Sequence, residues 1–267
     1  MLGRRGILIL TVMGTVPAFA VTQFAVGRSR NRREGFAAIW AASGARDLAQ
    51  QRSAQAADDF RTAQAYASDP DVYRLPLAEA LLAAGRTSEA SAELLTALSA
   101  EPGSGRINVD LGRIAAAEGD VPGALRYYHA AVDGEWDDHP AQRRRDARME
   151  LARFLLAQNA TEQAQIELTN LAADAPDDVG LLTTLGDLLM QTQAYPRALS
   201  VLDRVLHLDP RNARAARLAG EASFVLGDFR TARLRLQIAK ARGGLDPAGE
   251  AMLEEAVDLL QSEASGS

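Results

Sequence analysis

From Ala37 to Gly244 the apolar and small residues recur at helical spacing, two short helices at a time, and the pair repeats about every 34 residues. The clearest copy runs from Val179 to Asn212. Its first helix carries Leu182, Leu185–Gly186 and Leu189, its second Ala198, Leu202 and Val205, and it ends at Asp209–Pro210. Leu151–Ala152, Leu155, Ala164, Leu168 and Pro176 keep the same offsets upstream. Gly220, Gly227-Asp228-Phe229, Ala232, Leu236 and Ala239 keep them downstream. Two earlier copies carry Leu111–Gly112, Gly119–Asp120, Ala124, Tyr128 and Ala131, and Leu77–Ala78, Leu81, Gly85, Ala90, Leu94, Ala97 and Pro102. The first holds Trp40, Gly44, Ala56, Phe60 and Ala63.

The recurring residue types have physical reasons. Glycine or alanine at the eighth position and alanine at the twentieth let two helix backbones approach, while the larger apolar residues fill the groove alongside. Gly85, Gly119 and Gly227 fall between the helices of a pair, where a left-handed residue closes the first helix. Pro122 and Pro196 fall in the first turn of a second helix, where a missing N–H costs nothing. The Asp–Pro pairs at 209–210 and 246–247 suit helix entry, Asp as cap and Pro at the first position.

Two stretches depart from the period. The chain lengthens by about six residues over 133–140, DGEWDDHP, which predicts a longer turn followed by an extended helix from Pro140. Trp136 there is either the tip of a recognition loop or a ring packed on neighbouring helices. Beyond Pro247, Met252, Leu253, Ala256, Val257, Leu259 and Leu260 suit a final helix covering the last pair.

This pattern resembles the tetratricopeptide repeat, W-x2-L-G-x2-Y…A-x3-F…P, with aliphatics in place of the aromatics. The resemblance implies an all-α fold, a right-handed α-solenoid of about six repeats with a C-terminal capping helix over 34–261; the small polar tail over 262–267 is expected to be disordered. The resemblance also implies a concave groove lined by positions two, five, nine and twelve of the first helices. Those positions include Glu79, Arg106, Arg113, Met149, Arg153, Asp187, Arg214, Arg217 and Glu221, the candidate binding residues. Their spacing puts each set on one helical face. Arg106, Arg113 and Arg153 read either as a basic stretch for an acidic or extended peptide or as solvated arginines paired with nearby acids. The Lys/Asn clamp of chaperone-binding relatives is missing.

Residues 1–33 form a different segment. No charge interrupts Gly6 to Gly27, which as a helix spans roughly 33 Å, enough to cross a bilayer core. Two readings stand: a retained transmembrane anchor flanked by arginines, or a signal peptide cleaved after Ala18-Phe19-Ala20. Apolar character continues past Ala20, which favours retention. Four arginines follow the segment against two before it, so positive-inside counting leans towards a cytoplasmic soluble part of a bacterial inner-membrane protein, with a periplasmic one as the alternative.

Composition narrows the chemistry. Hydrophobic residues make up 47% of the chain but aromatics only 5%, so Ala and Leu, both helix formers, dominate. The net charge of -6 is interspersed, with no basic stripe to neutralise nucleic-acid phosphates. No cysteine is present, which excludes disulfides, thiolate metal sites and thiol nucleophiles. His129, His139 and His207 lie far apart, and no nucleophile elbow, P-loop or dinucleotide glycine cluster occurs. The expectation is a non-enzymatic, membrane-tethered scaffold that binds a protein or peptide, with no cofactor, small-molecule substrate or nucleic acid, and a secreted adaptor as the alternative.

Overall fold

The computed structural model describes residue 28 and residues 30–265, and every regular element among them is helical. Helix α1 covers residues 30–49. There follow α2 (Ser53–Tyr66), a 3₁₀ turn (Pro70–Tyr73), α3 (Arg74–Ala83), α4 (Thr87–Ala100), α5 (Gly105–Glu118), α6 (Val121–Asp133) and α7 (Pro140–Ala157). The chain continues through α8 (Thr161–Ala173), α9 (Val179–Gln191), α10 (Tyr195–Leu208), α11 (Ala213–Val225), α12 (Phe229–Ala241) and α13 (Pro247–Ser265). First and second helices alternate as the repeat predicts. The lengthened stretch before Pro140 is followed by a helix of 18 residues, as the extended-helix expectation has it. The closing helix runs on to Ser265, into the stretch expected to lack structure from Ser262. No helix among the described residues is long and apolar enough to cross a membrane. The uncharged run from Gly6 to Gly27 lies outside them.

The chain divides into two compact units, Met1–Asp120 and Val121–Ser267. In the first, α3 packs against α2 and α4, and α4 against α5. Its core holds Ala56, Ala57, Phe60, Leu77, Ala80, Leu81 and Ala90. In the second, each helix packs on its sequence neighbours, and α11 also touches α9 and α13. Leu168, Leu171, Leu182, Leu185, Leu189 and Leu202 are sealed there from solvent. Each contributes about 1.5–3 kcal/mol by leaving water.

The small-against-large rule of the repeat is visible atom by atom. A Cβ built on Gly44 would lie 3.1 Å from the Phe60 ring, one on Gly186 2.5 Å from Leu202 Cδ2, and one on Gly220 2.7 Å from Leu236 Cγ. In each pair the large residue sits at position twenty-four. Any side chain at position eight would collide with it, so helix propensity yields to packing at these glycines.

The turn within each pair is uniform. Position fifteen is left-handed in all six copies: Gln51, Gly85, Gly119, Asn159, Gln193 and Gly227 have φ between 58° and 79°. The following N–H reaches back to the carbonyl five residues earlier at 2.8–3.0 Å, as in Ala194 to Leu189, which satisfies a helix-end carbonyl. Only three of the six are glycine. Left-handed backbone costs an L-residue about 1–2 kcal/mol, partly offset by the greater unfolded freedom of glycine. Gln193→Gly is therefore expected to stabilise the chain by about 0.5–1 kcal/mol, read as a higher urea midpoint with an unchanged slope.

One expected helix entry falls elsewhere. Asp246 does cap α13, accepting the Gly249 N–H at 2.8 Å, with Pro247 first in the helix. Asp209, however, closes α10, and α11 is capped by Asn212, whose side chain accepts the Ala215 N–H. The proline ring at 210 holds Asp209 extended (φ -134°, ψ 87°), and its carboxylate accepts the Arg211 N–H inside the connecting turn.

Candidate functional site

The candidate groove residues sit on the first helices, and most of their charges are already matched. Arg106 on α5 is ion-paired with Glu79 on α3. Arg214 on α11 donates to Asp187 on α9 at 2.6 Å. Both are rungs from position nine of one first helix to position two of the next, acid first and arginine second. Arg113 donates to Asp110 within α5 at 2.8 Å. Arg217 bonds Glu221 one turn along α11, with Asp246 3.8 Å away. Burial pushes the Glu221 carboxyl above its ordinary range, against the opposing pull of Arg217, while Asp246 and Asp187 push it further up. These charges hold one another, and at partly exposed positions each pair contributes at most about 1 kcal/mol.

Between α7 and α9 the surface opens into a recess of about 550 Å³. Arg145, Asp146, Met149 and Arg153 of α7 form one wall. Gly180, Leu181 and Thr184 of α9 form the other, and Pro176 and Asp178 of the connecting turn close an end. Asp146, Met149, Arg153 and Gly180 are positions two, five, nine and two of their copies, as the groove assignment requires. Met149 is 8% exposed and belongs as much to the core of the second unit as to the recess floor. Asp178 accepts the Leu181 N–H at 2.7 Å and so caps α9.

Register placed both Arg153 and Gly180 on the groove face, but it gave no sign that the two line one recess. Position two of every other mapped copy carries a side chain: Val72, Arg106, Asp146 and Arg214. At Gly180 there is none. An added Cβ would meet a single atom, Asp178 Oδ1, at 3.3 Å. Gly180 therefore lines the recess without filling any of it.

Trp136 is half-buried, and its indole N–H donates to Ala131 O of α6 at 3.0 Å. The ring is thus tied to the helix it follows, as the packed reading of the longer turn has it. Among the described residues no three His, Asp or Glu side chains gather as metal ligands would.

Comparisons with known proteins agree on the architecture. No curated protein sequence matches the chain. Among solved structures it is similar to the C-terminal part of a TPR repeat-containing protein of Cytophaga hutchinsonii, with TM-score 0.60 and 18% identity over 80% of this chain and 83% of that one. It is similar to pilF of Pseudomonas aeruginosa, with TM-score 0.54 and 19% identity over 86% and 99% of the two chains. It also resembles YrrB, described as a TPR protein with an unusual peptide-binding site, with TM-score 0.52 and 16% identity over 70% and 92%. At such identities the likeness is one of fold. The tetratricopeptide repeat family model matches residues 75–140 and 183–247, close to half of the chain.

Proposed function

We propose that this chain is a binding scaffold that holds a protein partner on its first helices, and that residues 6–27 tether it to a membrane, where it serves assembly of an envelope complex. The observation that carries the reading is the recess between α7 and α9. It is a concave, mixed apolar and polar surface at the predicted groove positions, and arginines on its wall have no ion-pair partner among the described residues. An extended peptide brings side chains for such a surface and backbone amides for its polar rim. Arg214, Arg217, Asp187 and Glu221 keep their place in this reading as paired groove positions of the second unit, and Arg106 with Glu79 as a pair of the first.

A photo-crosslinking residue at Leu181 or Thr184, inside the recess, is expected to capture one partner in living cells. The same residue at Ile166, exposed on α8, captures none. Absence of a crosslink from both recess positions, or the same product from Ile166, overturns the groove reading. The tether is tested separately. The full-length chain is expected to stay in the membrane pellet through carbonate washing and to leave it in detergent. A soluble mature form lacking the first twenty or so residues replaces the tether with the secreted alternative.

A further inference from the structure

Two of the rungs between neighbouring first helices share one polarity, and the one beside the recess is left open. Glu79 pairs with Arg106 and Asp187 with Arg214, in each case an acid at position nine and an arginine at position two of the next copy. Between α7 and α9 the ninth position is Arg153 and the second is Gly180. The cation is on the opposite side, and its counterpart has no side chain. Arg153 is exposed and has no acceptor among the described residues, so a rigid fork of guanidinium donors faces the recess unspent.

The other charges around the recess do not fill the gap. Asp178 is engaged with the first turn of α9. Glu150 already has an interaction of its own. Asp146 lies seven residues, about two helical turns, before Arg153 on α7. Arg145, next to Asp146, is a second guanidinium with no acceptor among the described residues. The recess thus holds two uncommitted cations against one uncommitted acid.

Resting on the groove reading above, the geometry points to a specific occupant: the partner supplies the missing acid, placing a carboxylate of an extended acidic segment over Gly180, where Arg153 receives it. The partner completes the charge rung that the chain leaves open. Bidentate pairing with a guanidinium gives both orientation and discrimination. The absent Cβ at 180 supplies the room, since any side chain there would occupy it.

The test uses the purified full-length chain in detergent and a fluorescein-labelled decapeptide of alternating Glu and Ser, with its Gln-for-Glu counterpart, followed by fluorescence anisotropy. The Glu peptide is expected to bind about tenfold or more tightly than the Gln peptide, as one charge-assisted pair provides. Arg153→Gln is expected to remove that preference, and Arg153→Lys to keep part of it. Gly180→Glu supplies the acid from within and is expected to remove the preference as well, with helicity unchanged by circular dichroism. Equal binding of the two peptides, or a preference that survives both Arg153→Gln and Gly180→Glu, overturns the assignment. If crosslinking from Leu181 and Thr184 persists while the peptides bind equally, the groove stands and only its acid specificity falls. Loss of the crosslinks removes the groove itself.

Discussion

Gly186→Leu is expected to destabilise the chain by about 2–3 kcal/mol, because the site has no volume for a side chain. A Cβ alone would come within 2.5 Å of Leu202 Cδ2 and 2.7 Å of Leu202 Cγ. Leu202 is fully buried in one core cluster with Leu185, Leu189 and Val205, so a shift disturbs close-packed neighbours. A cavity is equally costly, so Leu202→Ala alone is expected to lose about 2–5 kcal/mol. The two changes are opposite errors at one contact, and the double variant should lose clearly less than their sum, with a coupling of about 0.5–3 kcal/mol. Urea unfolding followed by circular dichroism at 222 nm measures all three. Additive losses, or a silent Gly186→Leu, would show that the eighth position does not lie at the helix crossing.

That contact explains why so much of the fold was legible in the sequence. A pair of short helices buries little by itself, and the chain has to repeat the same small-against-large exchange at every crossing. Gly44 with Phe60, Gly186 with Leu202 and Gly220 with Leu236 are therefore both a sequence period and a set of atomic contacts. The intrahelix-pair turn was legible only in part. Gly85, Gly119 and Gly227 announce a left-handed residue and Asn159 does so more weakly, whereas Gln51 and Gln193 take the same conformation with no such signal. There the flanking helices dictate the backbone and local propensity gives way. The Asp209–Pro210 pair misled for a related reason. Asp–Pro fits either the entry to a helix or the exit from one, and only the competing cap at Asn212 decides.

The candidate site divides along the same line. Register alone assigns Arg106, Arg113 and Arg153 to one groove face, because position within a repeat is a local property. Whether each arginine is spent is a tertiary property. Arg106 meets Glu79 from the preceding first helix and Arg113 meets Asp110, while Arg153 lines a recess whose other wall holds Gly180. Gly180 falls in sequence at a groove-facing second position with nothing to show that it matters. Its importance appears only when two first helices, 27 residues apart at this rung, are laid side by side.

Phe60→Ala is the corresponding experiment for the first unit, with an expected loss of about 3–5 kcal/mol. Phe60 is 5% exposed and lies in a core with Ala56, Leu77, Leu81 and Ala90. Its ring rests 3.1 Å from the position a Gly44 side chain would take. Removing it empties the crossing of α1 and α2 and part of the surface on which α3 packs. Phe60→Leu installs the residue that the chain itself uses at this position in α10 and α12, and is expected to cost under about 1.5 kcal/mol. Because repeat units unfold by nearest-neighbour coupling, the damage should be local. Hydrogen exchange in Phe60→Ala is expected to accelerate in α1, α2 and α3 and to stay near the parent rate in α9 through α12. Uniform acceleration across the chain would mean that the whole molecule unfolds as one cooperative block, and protection unchanged in α1 would mean that the first copy is no part of the repeat array.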